Sequence, residues 1–168
     1  ILPYKENYTF LKAQAAAIWV CDFYKYSKFK DDNFIFGNTK GSDYLTKNYI
    51  NIKINNLKSK FSSSTNEYCK NFIKKTKNDK FDIIEIHNRP LVFNYLNKEI
   101  NSKYILYFHN DPLSMNGSKS INERLKLAGK LLSDYDPKDI LIVCRRENGW
   151  KAVKKFAELT GVNLFIGR

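Results

Sequence analysis

Both histidines of this chain, and a group of amide, acid and guanidinium side chains, occur where short apolar runs stop. In FDIIEIHNRP (81–90) the run Ile83, Ile84 and Ile86 gives way to His87, Asn88, Arg89 and Pro90. In KYILYFHNDP (103–112) the run Tyr104 to Phe108 gives way to His109, Asn110, Asp111 and Pro112. In DILIVCRR the run ends at Arg145 and Arg146. A general base needs a proton-accepting group, with a pKa near the working pH, beside the hydroxyl it activates. His109 with Asp111 has that chemistry. His109 could equally cap strand-end carbonyls or pack against Tyr107. His87 reads as structural or as lining a substrate. Arg89 could bind a phosphate or an acidic sugar, or could pair with Glu85 or Asp111.

These residues need elements that bring them together. Short β-branched and aromatic runs bounded by polar residues read as buried strands. Between the first two runs, PLVFNYLNKEIN has helical spacing at Leu91, Phe93, Tyr95 and Leu96. Strand, helix, strand within about thirty residues is a βαβ unit, so the strands are expected to be parallel. In an open parallel sheet, ligands bind beyond the carboxyl ends of the strands. Asn88, Arg89, His109, Asn110, Asp111, Arg145 and Arg146 each follow such an end and are expected to cluster there.

The rest of the chain alternates in the same way. Ile1 and Leu2 read as the end of a first strand whose beginning is absent, with a loop from Pro3 to Asn7. LKAQAAAIWVCDFYKYSKF reads as a long helix capped by Thr9, its alanines packing closely on a sheet. NFIFGN and YINIKIN (49–55) read as strands. Ser64 or Thr65 is expected to cap a helix with Tyr68, Phe72 and Ile73 on one face, and Lys74, Lys75 and Lys77 near its negative end. Beyond Pro112, Ser120 and Glu123 have the spacing of a capping box at the start of a helix. A strand at 140–144, a helix from Asn148 to Leu159 stopped by Gly161, and a last strand near 163–166 complete the series. The expected fold is a Rossmann-like α/β/α sandwich, one domain over residues 1–168, with one mostly parallel sheet and helices on both faces.

Composition bounds the partners. The 168 residues carry 29 Lys plus Arg against 17 Asp plus Glu, a formal net charge of +12. That balance suits nucleotides, nucleic acid or an anionic membrane surface, or simply a solvated lysine surface. No apolar run approaches the roughly 20 residues of a membrane span, and no secretory signal is visible. The three cysteines, Cys21, Cys69 and Cys144, have no metal-ligand spacing and read as reduced thiols of a cytoplasmic protein. No Cys/His cluster suggests zinc. No P-loop, no GxGxxG and no nucleophile elbow is present, so no cofactor is expected.

Residues 1 to about 125 resemble the N-terminal half of a bacterial family 4 glycosyltransferase. The resemblance is carried by ILPYKENYTF with the alanine-rich stretch after it, by DIIEIHNRP, and by YFHNDPLSMNGSKSINERL. It implies the GT-B fold, in which one Rossmann-like domain holds the saccharide acceptor and a second holds the sugar nucleotide. It also implies that Asn88, Arg89, His109, Asn110 and Asp111 line the cleft, with His109 or Asp111 as the base. Family members usually carry glycine before the first helix, where this chain has Gln14 and alanines. The donor domain has no counterpart before Arg168, so this part is expected not to turn over alone.

Residues from about 121 to 168, INERLKLAGKLLSDYDPKDILIVCRRENGWKAVKKFAELTGVNLFIGR, are similar to an archaeal-type small-subunit ribosomal protein, the second in the usual numbering. This resemblance implies a Rossmann-like piece whose Arg145 and Arg146 meet RNA phosphate. Three readings follow. The chain is a chimera joined near residues 121–128, an inactive acceptor half of a glycosyltransferase; or it is an RNA-binding ribosomal-protein-like module; or it is an engineered fold that retains no activity.

Overall fold

A computed structural model describes residues 1–54, 63–109, 140–144, 154, 158 and 163–165. The fold is α/β, and the strands among the described residues pair in parallel. The chain divides into two compact units, Ile1–Asp79 and Lys80–Arg168.

The first unit holds α1 (Ala15–Tyr26), β1 (Ile35–Gly37), β2 (Tyr49–Asn51) and α2 (Ser64–Lys75). β1 and β2 pair in parallel, Ile35 opposite Tyr49. Leu2, Tyr8, Ala17, Val20, Cys21, Tyr24, Ile35 and Tyr49 form its core. The buried alanines of α1, Ala16 and Ala17, have small side chains that let the helix approach closely. α2 buries Tyr68, Cys69 and Phe72, a spacing of one and four residues that marks a single helix face. Phe72 meets Phe36 edge-on, with ring centres 4.9 Å apart.

Two helix starts differ from expectation. α1 begins at Ala15, not just after Thr9. The Thr9 carbonyl is used instead by a turn, accepting from the amides of Lys12 and Ala13, and Thr9 also bridges to Tyr44. The cap comes from farther away: Ala17 N–H donates to the Glu6 carboxylate at 2.9 Å. An acidic group on the unpaired amides of a helix start is stabilising. In α2, Ser64 is the first helical residue and Ser63 precedes it, with no side-chain cap bond. The lysines Lys74 and Lys75 lie in its last turn as anticipated.

The second unit holds β3 (Ile83–His87), α3 (Pro90–Glu99), β4 (Lys103–Phe108), β5 (Ile140–Cys144) and β6 (Asn163–Phe165), with the strands in that order in one parallel sheet. Pro90 sits in the first turn of α3, where its fixed φ suits a helix and its missing N–H costs nothing. α3 buries Val92, Phe93 and Leu96 and packs on β3 and β4. Phe93 meets Tyr104 edge-on at 5.5 Å. Ile84 and Ile86 of β3, with Tyr104, Leu106 and Phe108 of β4, are buried. Ile83 and Leu91, counted from sequence among the apolar positions, are about half exposed.

The strands anticipated near 34–36, 50–54, 82–86, 104–108, 140–144 and 163–166 are all present. Among the described residues they fall in a two-stranded and a four-stranded sheet, where a single sheet was expected. Local chemistry limits the smaller sheet. β2 ends at Asn51, four residues before the expected end, and one further bond runs from Ile52 N–H to the Gly37 carbonyl. On the other edge of β1, Leu2 N–H reaches the Phe36 carbonyl at 2.8 Å. The Leu2 carbonyl is taken by the Tyr68 hydroxyl, and Pro3 has no N–H to offer. Among the described residues, no helix is long and apolar enough to cross a membrane.

Candidate functional site

The two histidines lie at the carboxyl ends of β3 and β4, and the sheet register explains how they meet. His87 is paired with Tyr107, and Glu85 with Ile105. Side chains alternate along a strand, and paired residues of parallel strands share a face. Glu85, His87, Tyr107 and His109 therefore project to the same side. The His87 and His109 rings are 5.1 Å apart and near parallel. Tyr107 lies 4.6 Å from His109 and 5.4 Å from His87. His109 does pack against Tyr107, one of the roles its sequence position allowed.

A chain of hydrogen bonds links three of these residues. Nε2 of His87 lies 3.1 Å from Oε1 of Glu85. Nδ1 of His87 lies 2.8 Å from Nε2 of His109. The His87 side chain is 4% exposed, and burial holds its pKa below the ordinary value, because the charged imidazolium loses its hydration. Burial pushes the Glu85 carboxyl up, but the hydrogen bond from His87 and the charges around it outweigh this and leave it below the usual carboxylate range. An ionised carboxylate only accepts, so Nε2 of neutral His87 carries the proton. Nδ1 of His87 then accepts, and Nε2 of His109 donates. Both tautomers follow from this donor count. A proton added at Nδ1 of His109 leaves both bonds intact; one added at Nδ1 of His87 breaks the bond between the rings. The arrangement orients His109 through a carboxylate two groups behind it, the logic by which a buried acid orients a catalytic imidazole.

Asn88 fixes the relation of the two strand ends. Its Oδ1 accepts from the His109 amide at 2.7 Å. Its own N–H donates to the Tyr107 carbonyl at 2.8 Å. It does this with φ at +52°, in the left-handed region, which Asn tolerates better than most side-chain-bearing residues. Arg89 follows as the residue before α3, its carbonyl accepting from the amides of Val92 and Phe93.

The structure thus brings together His87, Asn88 and His109, with Arg89 next in sequence. Asn110, Asp111, Arg145 and Arg146 lie outside the described residues, as do Ser120 and Glu123. Cys144 ends β5 opposite Phe108, and Arg145 is the next residue in the sequence. Lys154 is helical and exposed. Sequence reasoning treated Glu85 as no more than a partner for Arg89. The signal for its real position was its spacing of two from His87 on a strand. Among the described residues, no group of three or more His, Cys, Asp and Glu could hold a metal ion.

Comparison with known proteins gives a partial answer. No family model matches the chain, and no solved structure matches it. The chain is 45% identical over 65 residues to the small ribosomal subunit protein uS2 of Nanoarchaeum equitans, covering 39% of this chain and 32% of that protein. It is 42% identical over 65 residues to the uS2 of Thermoplasma acidophilum, covering 39% and 33%. It is 46% identical over 50 residues to that of Saccharolobus solfataricus, covering 30% and 22%. None of these three relatives is a glycosyltransferase, and they lend no support to the glycosyltransferase and chimera readings. The chain spans about a third or less of the length of the curated relatives it matches, and what it shares with them is a segment similar to ribosomal protein uS2.

Proposed function

We propose that this chain is a ribosomal-protein-like module that binds RNA, with Arg145 and Arg146 contacting phosphate. The observation that carries the reading is the 45% identity over 65 residues to a small ribosomal subunit protein. The net charge of +12 supplies the general attraction that phosphate binding needs. Arg145 and Arg146 come directly after β5 in the sequence, and arginine offers a planar fork of donors suited to phosphate oxygens. The test is binding of a labelled small-subunit ribosomal RNA fragment across a salt series. Binding should weaken steeply with salt. Replacing both arginines (Arg145→Ala, Arg146→Ala) should reduce the log–log slope by roughly one unit for each phosphate that an arginine had neutralised. Absence of binding at low salt, or an unchanged slope, would refute the proposal.

A second reading is favoured by one observation, the Glu85–His87–His109 chain at the carboxyl end of parallel strands. It takes residues 1 to about 125 as the acceptor side of a sugar-nucleotide-dependent glycosyltransferase, with His109 or Asp111 as base and Asn88, Arg89 and Asn110 toward the saccharide. On this reading residues 121–168 are a joined piece, and β5 and β6 extend the sheet begun by β3 and β4. Catalysis in a cleft needs both substrates placed, worth on the order of 7–11 kcal/mol of the barrier. The expectation is therefore no detectable transfer from a panel of sugar nucleotides. A genome encoding the junction near residues 121–128 would remove the chimera.

A further inference from the structure

His87 and His109 meet edge to edge. Their ring centres are 5.1 Å apart, while the bonded nitrogens are 2.8 Å apart. The difference is what two imidazole radii span, so both nitrogens lie close to the line joining the centres. The ring planes differ by 26°. The bond therefore runs nearly within both rings, the direction in which an imidazole N–H and a ring lone pair point. A neutral imidazole has one donor and one acceptor nitrogen. Two such rings can share a bond in either sense, and the pair by itself fixes neither tautomer.

Glu85 decides the sense. Its carboxylate stands 3.1 Å from Nε2 of His87, on a side chain that is 30% exposed, and is held below the usual carboxylate range. It can only accept, so the bonds run from His109 to His87 to Glu85 and leave Nδ1 as the basic nitrogen of His109. Two further contacts hold His109 there. Its amide donates to Oδ1 of Asn88, and Tyr107 packs 4.6 Å away. Besides these residues, the titratable side chain on that face of β3 and β4 is Lys103, at the far end of β4.

We propose that His109 accepts the proton of a substrate hydroxyl at Nδ1, and that Glu85 and His87 are positioning residues that fix this tautomer. In the step, the hydroxyl O–H bond breaks, an N–H bond forms at Nδ1, and the oxygen keeps the electron pair. Both hydrogen bonds survive, and the new imidazolium faces the Glu85 carboxylate across a neutral His87. His87 cannot take that role, because a proton on its Nδ1 breaks the bond between the rings. This support is what selects His109 over Asp111. That the hydroxyl belongs to a saccharide rests on the acceptor-side reading above; the tautomer and the roles of Glu85 and His87 do not.

The test uses the full chain, isotope-labelled so that long-range proton–nitrogen spectra resolve its two histidines. Above its titration, His109 should show an unprotonated Nδ1 and a protonated Nε2, and it should titrate before His87 as pH falls. Glu85→Gln keeps the shape but offers a donor as well as an acceptor, so the bonds can run either way. Each ring should then become a mixture of tautomers. Proton binding at His109 should weaken about tenfold, with little change in the unfolding transition. Glu85→Asp retains the charge and should recover most of that loss, which a purely structural role would not do. A proton on Nδ1 of neutral His109 in the parent protein, or His87 titrating first, would overturn the proposal without any variant. So would equal proton binding at His109 in the parent and Glu85→Gln. A panel of methyl glycosides then separates the two readings. Perturbation of the His109 ring signals by a glycoside keeps both. Silence from every glycoside, with the tautomer and the Glu85 effect as expected, ends the saccharide assignment and keeps the positioning roles.

Discussion

Asn88 does two jobs that substitution can separate. Its backbone is left-handed, with φ at +52°, and its side chain accepts the His109 amide at 2.7 Å. The residue is 8% exposed, so water cannot readily replace the acceptor. Asn88→Ala removes the acceptor and strands a partly buried N–H, costing about 1–3 kcal/mol. It also places a β-carbon in the left-handed region without the local hydrogen bonding that makes Asn tolerable there, adding about 1 kcal/mol. Asn88→Gly removes the acceptor but relieves the backbone, so it should be the milder of the two by about 1 kcal/mol. Asn88→Asp keeps an acceptor and tolerates the same φ, and should cost least. The assay is urea unfolding of all four proteins, with midpoints compared at constant slope. Hydrogen exchange at the His109 amide should accelerate in the Ala and Gly variants and not in the Asp variant. If Ala is no worse than Gly, the left-handed backbone is not the strain argued here. If Asp costs as much as Ala, the bond to His109 does not hold the strand ends.

Three further outcomes are expected. Burial lowers the His87 pKa, so the unfolded chain takes up its proton first as pH falls; stability should be full above about pH 6.5 and decline below it until the folded value is passed, by about 1.4 kcal/mol per unit of separation. His87→Gln should flatten that decline, and equal slopes of parent and variant on the acid side of neutrality would contradict the assignment. A β-carbon on Gly37 would meet the Tyr49 hydroxyl at 2.7 Å, while that hydroxyl is already held by Thr39 at 2.7 Å. Gly37→Ala should therefore destabilise by about 1–3 kcal/mol, with part recovered in the double variant carrying Tyr49→Phe; additive effects in unfolding experiments would exclude the clash. Burial pushes the Cys69 thiol up to about 12, so alkylation in mildly alkaline buffer, followed by peptide mass spectrometry, should modify Cys69 only after unfolding.

The strands were legible because short apolar runs stopped by polar residues have few alternatives to a buried strand. The start of α1 was not. Thr9 has the right type for a cap and an apolar period follows it, but a turn closing on its own carbonyl and a bridge to Tyr44 compete for the same backbone. The cap came from Glu6, far along the chain from the Ala17 amide it serves, a separation no local pattern encodes. At the site, the meeting of His87 and His109 could be read from parallel pairing alone. The part played by Glu85 needed the additional step of placing it on the same strand face.

The carboxylate of Glu6 at the start of α1 also sets a threshold for anything else that would use the Ala17 amide. A helix start attracts anions of many kinds, and here a competitor is covalently attached. A tethered group of this sort acts at an effective concentration on the order of millimolar. A free phosphate or carboxylate therefore has to displace Glu6 from Ala17 before it gains any hold there. An anion that holds an amide no better than a carboxylate does would need to exceed that concentration to replace Glu6, so the chain's own acid guards the Ala17 amide.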